Sequence, residues 1–217
     1  MTEYEKQYKN QFVKVSDDFI VNITPKVGCS SVILQTLSYN LNIDINTFNK
    51  SIDRHINIAG YDLSKKYNKS MFDLGREYCV NENIKDKEKV CVIYRDPVKR
   101  YLSAWQTWCA MFYNIPLFNH IELIRDCLNK QMEDEHYVPQ HKFFNFDNVD
   151  IFIKLEDYPD FCRENNIPWI MANKNVNSDY MNFKVSESIC DKIKALYKDD
   201  YDIINKIINS NKLYERR

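Results

Sequence analysis

The chain has 217 residues, with 30 Lys and Arg against 31 Asp and Glu and a formal net charge of −1. That length suits a single domain, taken as residues 1–217, and the charge balance excludes wholesale binding of nucleic acid or of an anionic membrane surface. Seven cysteines without a Cys-x-x-Cys pair exclude a zinc ribbon and a disulfide scaffold, and fit reduced thiols packed as small hydrophobes.

In chain order, the N-terminal residues are polar, and no apolar run reaches the length of a signal or membrane-spanning segment. A cytoplasmic protein with no membrane span is the expectation. Phe19 to Ile23 is a β-branched and aromatic run that predicts a buried central strand, closed by Pro25, which cannot donate to a ladder. The turn Thr24-Pro25-Lys26-Val27-Gly28-Cys29 follows, and Ser30 or Ser31 is expected to cap a helix running to about Leu41. Only 3 glycines occur in the chain, and Gly28 stands where the backbone needs a positive φ or a ligand must approach closely. Backbone N–H groups, a helix N-terminus and the Lys26 charge would meet there, making an anion site suited to phosphate. An ordinary strand-to-helix connection with a solvated lysine accounts for the same residues. A Walker loop is excluded, because Gly-x-x-x-x-Gly-Lys-Ser/Thr does not occur.

Short helices are predicted over Asp62 to Tyr67 and Met71 to Val80, after a polar stretch in which Arg54 to Ala59 alternates weakly. Lys89 to Tyr94 is the clearest buried strand, and it runs into Arg95-Asp96-Pro97. There Asp96 suits an N-cap and Pro97 the first position of a helix over Val98 to Met111. This junction is a second basic anion site, with Arg95, Lys99 and Arg100. Leu117 to Gln131 predicts an amphipathic helix, Val149 to Lys154 a third strand, and Ser186 to Asn211 a helix whose stripe of Ile189, Ile193, Leu196 and Tyr197 is core packing. Strands alternating with helices predict an α/β fold with a mainly parallel sheet, whose ligands gather at the carboxyl ends of the strands.

Two of these stretches carry a family resemblance. Thr24-Pro25-Lys26-Val27-Gly28-Cys29-Ser30-Ser31 resembles the 5′-phosphosulfate loop of the sulfotransferases. Arg95-Asp96-Pro97-Val98-Lys99-Arg100-Tyr101-Leu102-Ser103 resembles their 3′-phosphate motif, keeping the Arg-Asp-Pro-x-x-Arg-x-x-Ser spacing in full. His136-Tyr137-Val138-Pro139-Gln140 and Asp150 to Glu156 are similar to segments of the chondroitin and HNK-1 type carbohydrate sulfotransferases, and Tyr197-Lys198-Asp199-Asp200-Tyr201 to a helix near their C-termini. The resemblance spans about Phe19 to Tyr201 and leaves Asn42 to Lys89 unmatched. Animal members carry a membrane anchor, and none is expected here, since no apolar run of that length occurs in the sequence.

The resemblance implies a three-layer sandwich of the P-loop-like kind and transfer of a sulfuryl group from 3′-phosphoadenylyl sulfate (PAPS) to an acceptor hydroxyl, without a metal. Adenosine 3′,5′-bisphosphate would be left behind. Lys26 would stabilise charge growing on the bridging oxygen, within a cradle of Pro25, Val27, Gly28, Cys29, Ser30 and Ser31. Arg95 and Ser103 would hold the 3′-phosphate, with Arg100 either a third ligand or a surface cation paired with Asp96. His55, between the nucleotide motifs, is the first choice of general base, with Asp62, Glu77 and His136 as rivals. The implied acceptor is a glycan, with His136 shaping the pocket. Tyr101, Trp105, Trp108 and Tyr113 can offer ring faces to a sugar, although core packing accounts for each ring singly. Two other classes stay open. A nucleotide kinase-like phosphotransferase would call for a Walker lysine and a magnesium carboxylate, both missing at the turn; a non-catalytic nucleotide-binding module would not need Lys26.

Overall fold

Strand β2 (Phe19–Asn22) is buried along its whole length, as four consecutive apolar or shielded residues require. A computed structural model describes residues 11–43, 66–80, 88–105, 124, 128, 136–169 and 185–216, and places β2 at the centre of a five-stranded sheet. The strands run in the order β3 (Cys79–Val80), β1 (Phe12–Lys14), β2, β4 (Lys89–Tyr94), β5 (Ile151–Lys154). β2, β4 and β5 are parallel neighbours, whereas β1 is antiparallel to both β2 and β3. The sheet is therefore mixed, not mainly parallel. Residues 15–18 join β1 to β2 as a hairpin, a short link that antiparallel strands permit and parallel strands do not.

Alternation along the strands divides the core into two faces. Phe19, Val21, Ile23, Cys91, Ile93 and Ile153 face helices α1 (Cys29–Leu41), α2 (Met71–Arg76) and α4 (Tyr158–Glu164), packing on Ile33, Leu37, Leu74, Tyr158 and Phe161. Ile20, Val90, Val92, Tyr94 and Phe152 face the other way, onto Phe143, Phe144 and Ile207. Phe143 belongs to a 3₁₀ turn (Gln140–Phe143), and Ile207 to the last helix, α6 (Lys198–Ile208). Helices on both faces of one sheet make an α/β sandwich. A third cluster joins α3 (Pro97–Trp105) to α5 (Glu187–Leu196) through Tyr101, Trp105, Ile189, Ile193 and Tyr197.

Several expectations change here. The predicted helix over Met71 to Val80 stops at Arg76 and turns into β3. The predicted helix over Ser186 to Asn211 breaks at Tyr197 (φ −107°, ψ 31°) into α5 and α6. Leu196, assigned to the buried stripe, is 40% exposed, because the break turns it outward while Tyr197 stays in the core. Beside β5 the C-terminal tail continues the ladder: Phe152 N–H donates to the Lys212 carbonyl, and Tyr214 N–H to the Phe152 carbonyl, each at 2.8 Å. The five described cysteines, Cys29, Cys79, Cys91, Cys162 and Cys190, are free thiols. No helix among the described residues is long and apolar enough to cross a membrane.

Candidate functional site

Parallel register decides what meets at the carboxyl edge of the sheet. Phe19 lies opposite Lys89 and Cys91 opposite Ile151. Continuing those pairings past the strand ends brings Pro25, Arg95 and Leu155 level, in neighbouring strands about 4.8 Å apart. The two basic junctions predicted from sequence thus open on one edge, with the exit of β5 beside them.

The first junction is shaped by its backbone. Lys26 (φ 65°) and Gly28 (φ 90°) both take left-handed conformations. For Lys26 this costs on the order of 1 kcal/mol or more, a strain that tends to persist at functional sites. Gly28 is the N-cap of α1 and supplies no side-chain bond. Ser30 and Ser31 are not caps, as the sequence suggested; both lie inside the first helical turn, Ser30 half-buried and Ser31 buried. A Cβ on Gly28 would lie 3.0 Å from the Leu155 side chain, so its φ and its neighbour both call for glycine. Val27 turns its side chain into the core, leaving its backbone to the site.

The second junction is shaped by side chains. Asp96 Oδ1 accepts from the Lys99 N–H at 2.9 Å, and Pro97 is the first residue of α3, as predicted. Lys99 points away to the surface, where it pairs with Glu156 at 3.1 Å. Arg95 Nη1 donates to the Lys26 carbonyl (3.3 Å), and Arg100 Nε to the Pro25 carbonyl (3.0 Å). Both arginines therefore reach back to the first turn. Arg100 is 1% exposed, which removes the reading of a surface cation paired with Asp96. Ser103, half-buried, stands one turn beyond Arg100 on the same side of α3.

Three cations now share a poorly solvated corner. Burial holds the Lys26 ammonium below its usual range; Cys29 opposes this, while Arg95 and Arg100 lower it further. Burial also lowers both guanidiniums, opposed at Arg95 by Glu156 and Asp96, and at Arg100 mainly by Tyr197 and Asp200. Arg95 Nε and Arg100 Nη2 are buried without a hydrogen-bond partner among the described residues. Leaving such a donor unmet costs roughly 1–3 kcal/mol, more when the group is charged. An anion at this corner would answer both donors and relieve the repulsion.

A network missed in the sequence supports the corner from behind. The Gln140 side chain accepts from Arg95 N–H (3.1 Å) and donates to Arg95 C=O (2.7 Å). Asp200, fully buried, accepts from the backbone N–H of Gln140 and of His141, each at 2.9 Å, and lies 2.6 Å from His141 Nδ1. Tyr201 donates to Asp96 Oδ2 (3.1 Å), and Tyr197 to the Tyr137 carbonyl (2.5 Å). One signal was available: Asp200 is seven residues after Ile193 on the buried stripe, where a charge requires partners.

The remaining candidates fall as follows. His55 and Asp62 lie outside the described residues, as do Trp108 and Tyr113. Glu77 pairs with Lys69 two residues before β3, level with the amino end of β2, and so stands at the opposite edge from the turn. His136 is half-buried, four residues before Gln140. Trp105, offered as a ring face for a sugar, is 2% exposed and packs in the third cluster, as does Tyr101. Compared with known proteins, the chain matches no family model, no curated sequence and no solved structure.

Proposed function

We propose that this protein is a PAPS-dependent sulfotransferase acting on a carbohydrate hydroxyl. The observation that carries the reading is the pair of buried, unanswered arginine donors, Arg95 Nε and Arg100 Nη2, beside a strained lysine turn on one sheet edge. A nucleotide with phosphates at both ends of its ribose suits two cationic junctions side by side. Support also comes from convergence. Four of the five segments that resemble sulfotransferases, far apart in the chain, meet at one corner, where hydrogen bonds link Lys26, Arg95, Gln140 and Asp200, and Tyr201 to Asp96.

When bound, the donor would supply the sulfuryl group and keep the charge of the departing bisphosphate. The turn from Pro25 to Ser31 would hold its 5′ end, and Arg95, Arg100 and Ser103 its 3′-phosphate. Lys26 would stabilise negative charge as it grows on the bridging oxygen, a contribution larger in the transition state than in the ground state. His55 stays the proposed base and His136 the proposed contact of the acceptor; Trp105 would act through packing. Adenosine 3′,5′-bisphosphate should raise the melting temperature well above the effect of AMP. Labelled sulfuryl transfer from PAPS to a panel of glycans tests the chemistry. Binding without transfer to any hydroxyl acceptor would favour a nucleotide-binding module, and equal shifts with AMP would defeat the two-phosphate reading.

A further inference from the structure

The loop that ends in Gln140 and the helix that begins after Tyr197 meet the second junction at its backbone and its cap, not at its cationic side chains. Gln140 behaves as one extra rung of the sheet: its amide meets both the N–H and the C=O of Arg95, just past the end of β4, from 45 residues away. That rung is itself fixed, because buried Asp200 accepts the N–H groups of Gln140 and His141 and holds the His141 ring. Tyr201, the next residue, fastens Asp96 on the other side of the same peptide. Arg95 and Asp96 are thereby held at three points by two distant segments. Such bracing exceeds what a helix cap needs, since Asp96 already caps α3 by itself.

We infer that Gln140 and Asp200 are positioning residues: they set the backbone of Arg95 so that its guanidinium addresses the 3′-phosphate. This rests on the nucleotide reading above. The 5′ end is held by the turn at Lys26, which neither residue touches and which meets Arg95 only through its guanidinium, so the inference is separable from a general role in folding.

The test compares affinities for adenosine 3′,5′-bisphosphate and for AMP, measured by calorimetry on the full chain. Gln140→Leu should weaken bisphosphate binding about tenfold while leaving AMP binding within a factor of about two. Gln140→Glu, which keeps an acceptor for Arg95 N–H but loses the donor to Arg95 C=O, should fall between wild type and Gln140→Leu. Asp200→Asn should lose about threefold on the bisphosphate alone. In an Arg95→Ala background Gln140→Leu should add nothing, because the side chain it positions has gone. Bisphosphate affinity unchanged in folded Gln140→Leu, or lost equally with AMP, would overturn the inference. If Gln140→Leu fails to fold, Gln140→Glu and Asp200→Asn decide by the same ratio. Wild-type protein that shows no preference for the bisphosphate would instead overturn the nucleotide reading itself, a distinct outcome.

Discussion

The two junctions at the carboxyl edge present the same thing, a helix N-terminus with cations, yet they are made by opposite means. At Pro25 to Gly28 the shape comes from two left-handed backbones, and no side chain caps the helix. At Arg95 and Asp96 the shape comes from an aspartate cap, a proline, and braces from Gln140 and Tyr201, up to 105 residues distant. A locally strained turn fails when one residue is wrong, whereas a braced junction spreads its dependence over several contacts. The difference predicts where each will break.

The largest effect should come from the charge at the strained turn. Lys26→Ala should lower kcat by about a hundredfold or more, with a much smaller loss of bisphosphate affinity, because the charge counts most as the bridging oxygen leaves. Single-turnover kinetics beside calorimetry separate the two, and normal turnover would show that the turn is not catalytic. Next in size is the backbone. Gly28→Ala places a Cβ at φ 90° and against Leu155, and should cost about 1–3 kcal/mol in denaturant unfolding. Asp96→Ala at the braced junction should cost less, about 1 kcal/mol, because the cap is lost while the Gln140 rung stays. A larger loss there than at Gly28 would invert the comparison.

The smallest effect is a pH dependence. With its folded pKa lowered, Lys26 sheds its proton before the unfolded chain does, so between that lowered value and the ordinary 10.5 the unfolded state binds more protons. Stability contributed by this group therefore rises with pH across that window. The difference between wild type and Lys26→Met, which removes the charge and keeps the apolar stem, should show that rise, and a flat difference would mean that the ammonium is not desolvated.

Legibility in the sequence followed the range of the interactions. β2, β4 and β5 were readable because each is an uninterrupted apolar run closed by a turn signal, and the Asp96-Pro97 start of α3 because caps are local. β1 and β3, at three and two residues, are too short to display a period, and without them the sheet reads as parallel. The break at Tyr197 has no proline or glycine to announce it. Arg100 was ambiguous for a related reason: spacing of four from Asp96 fits a surface pair, and only the packing of α3 against the first turn buries it. Gln140 was visible only as part of a resembling segment and its role was not, since a glutamine that bonds a backbone 45 residues away has no local pattern.

The tail that runs beside β5 bears on how copies of this chain behave toward one another. A sheet edge with bare N–H and C=O groups is a template for another molecule's strand, and natural proteins cover such edges or keep them short. Here residues 212–214 occupy the β5 border, while the opposite border, β3, is two residues long. Each border therefore offers little for a second chain to zip onto, and cutting away the last few residues would uncover a template along β5 without touching the cationic corner.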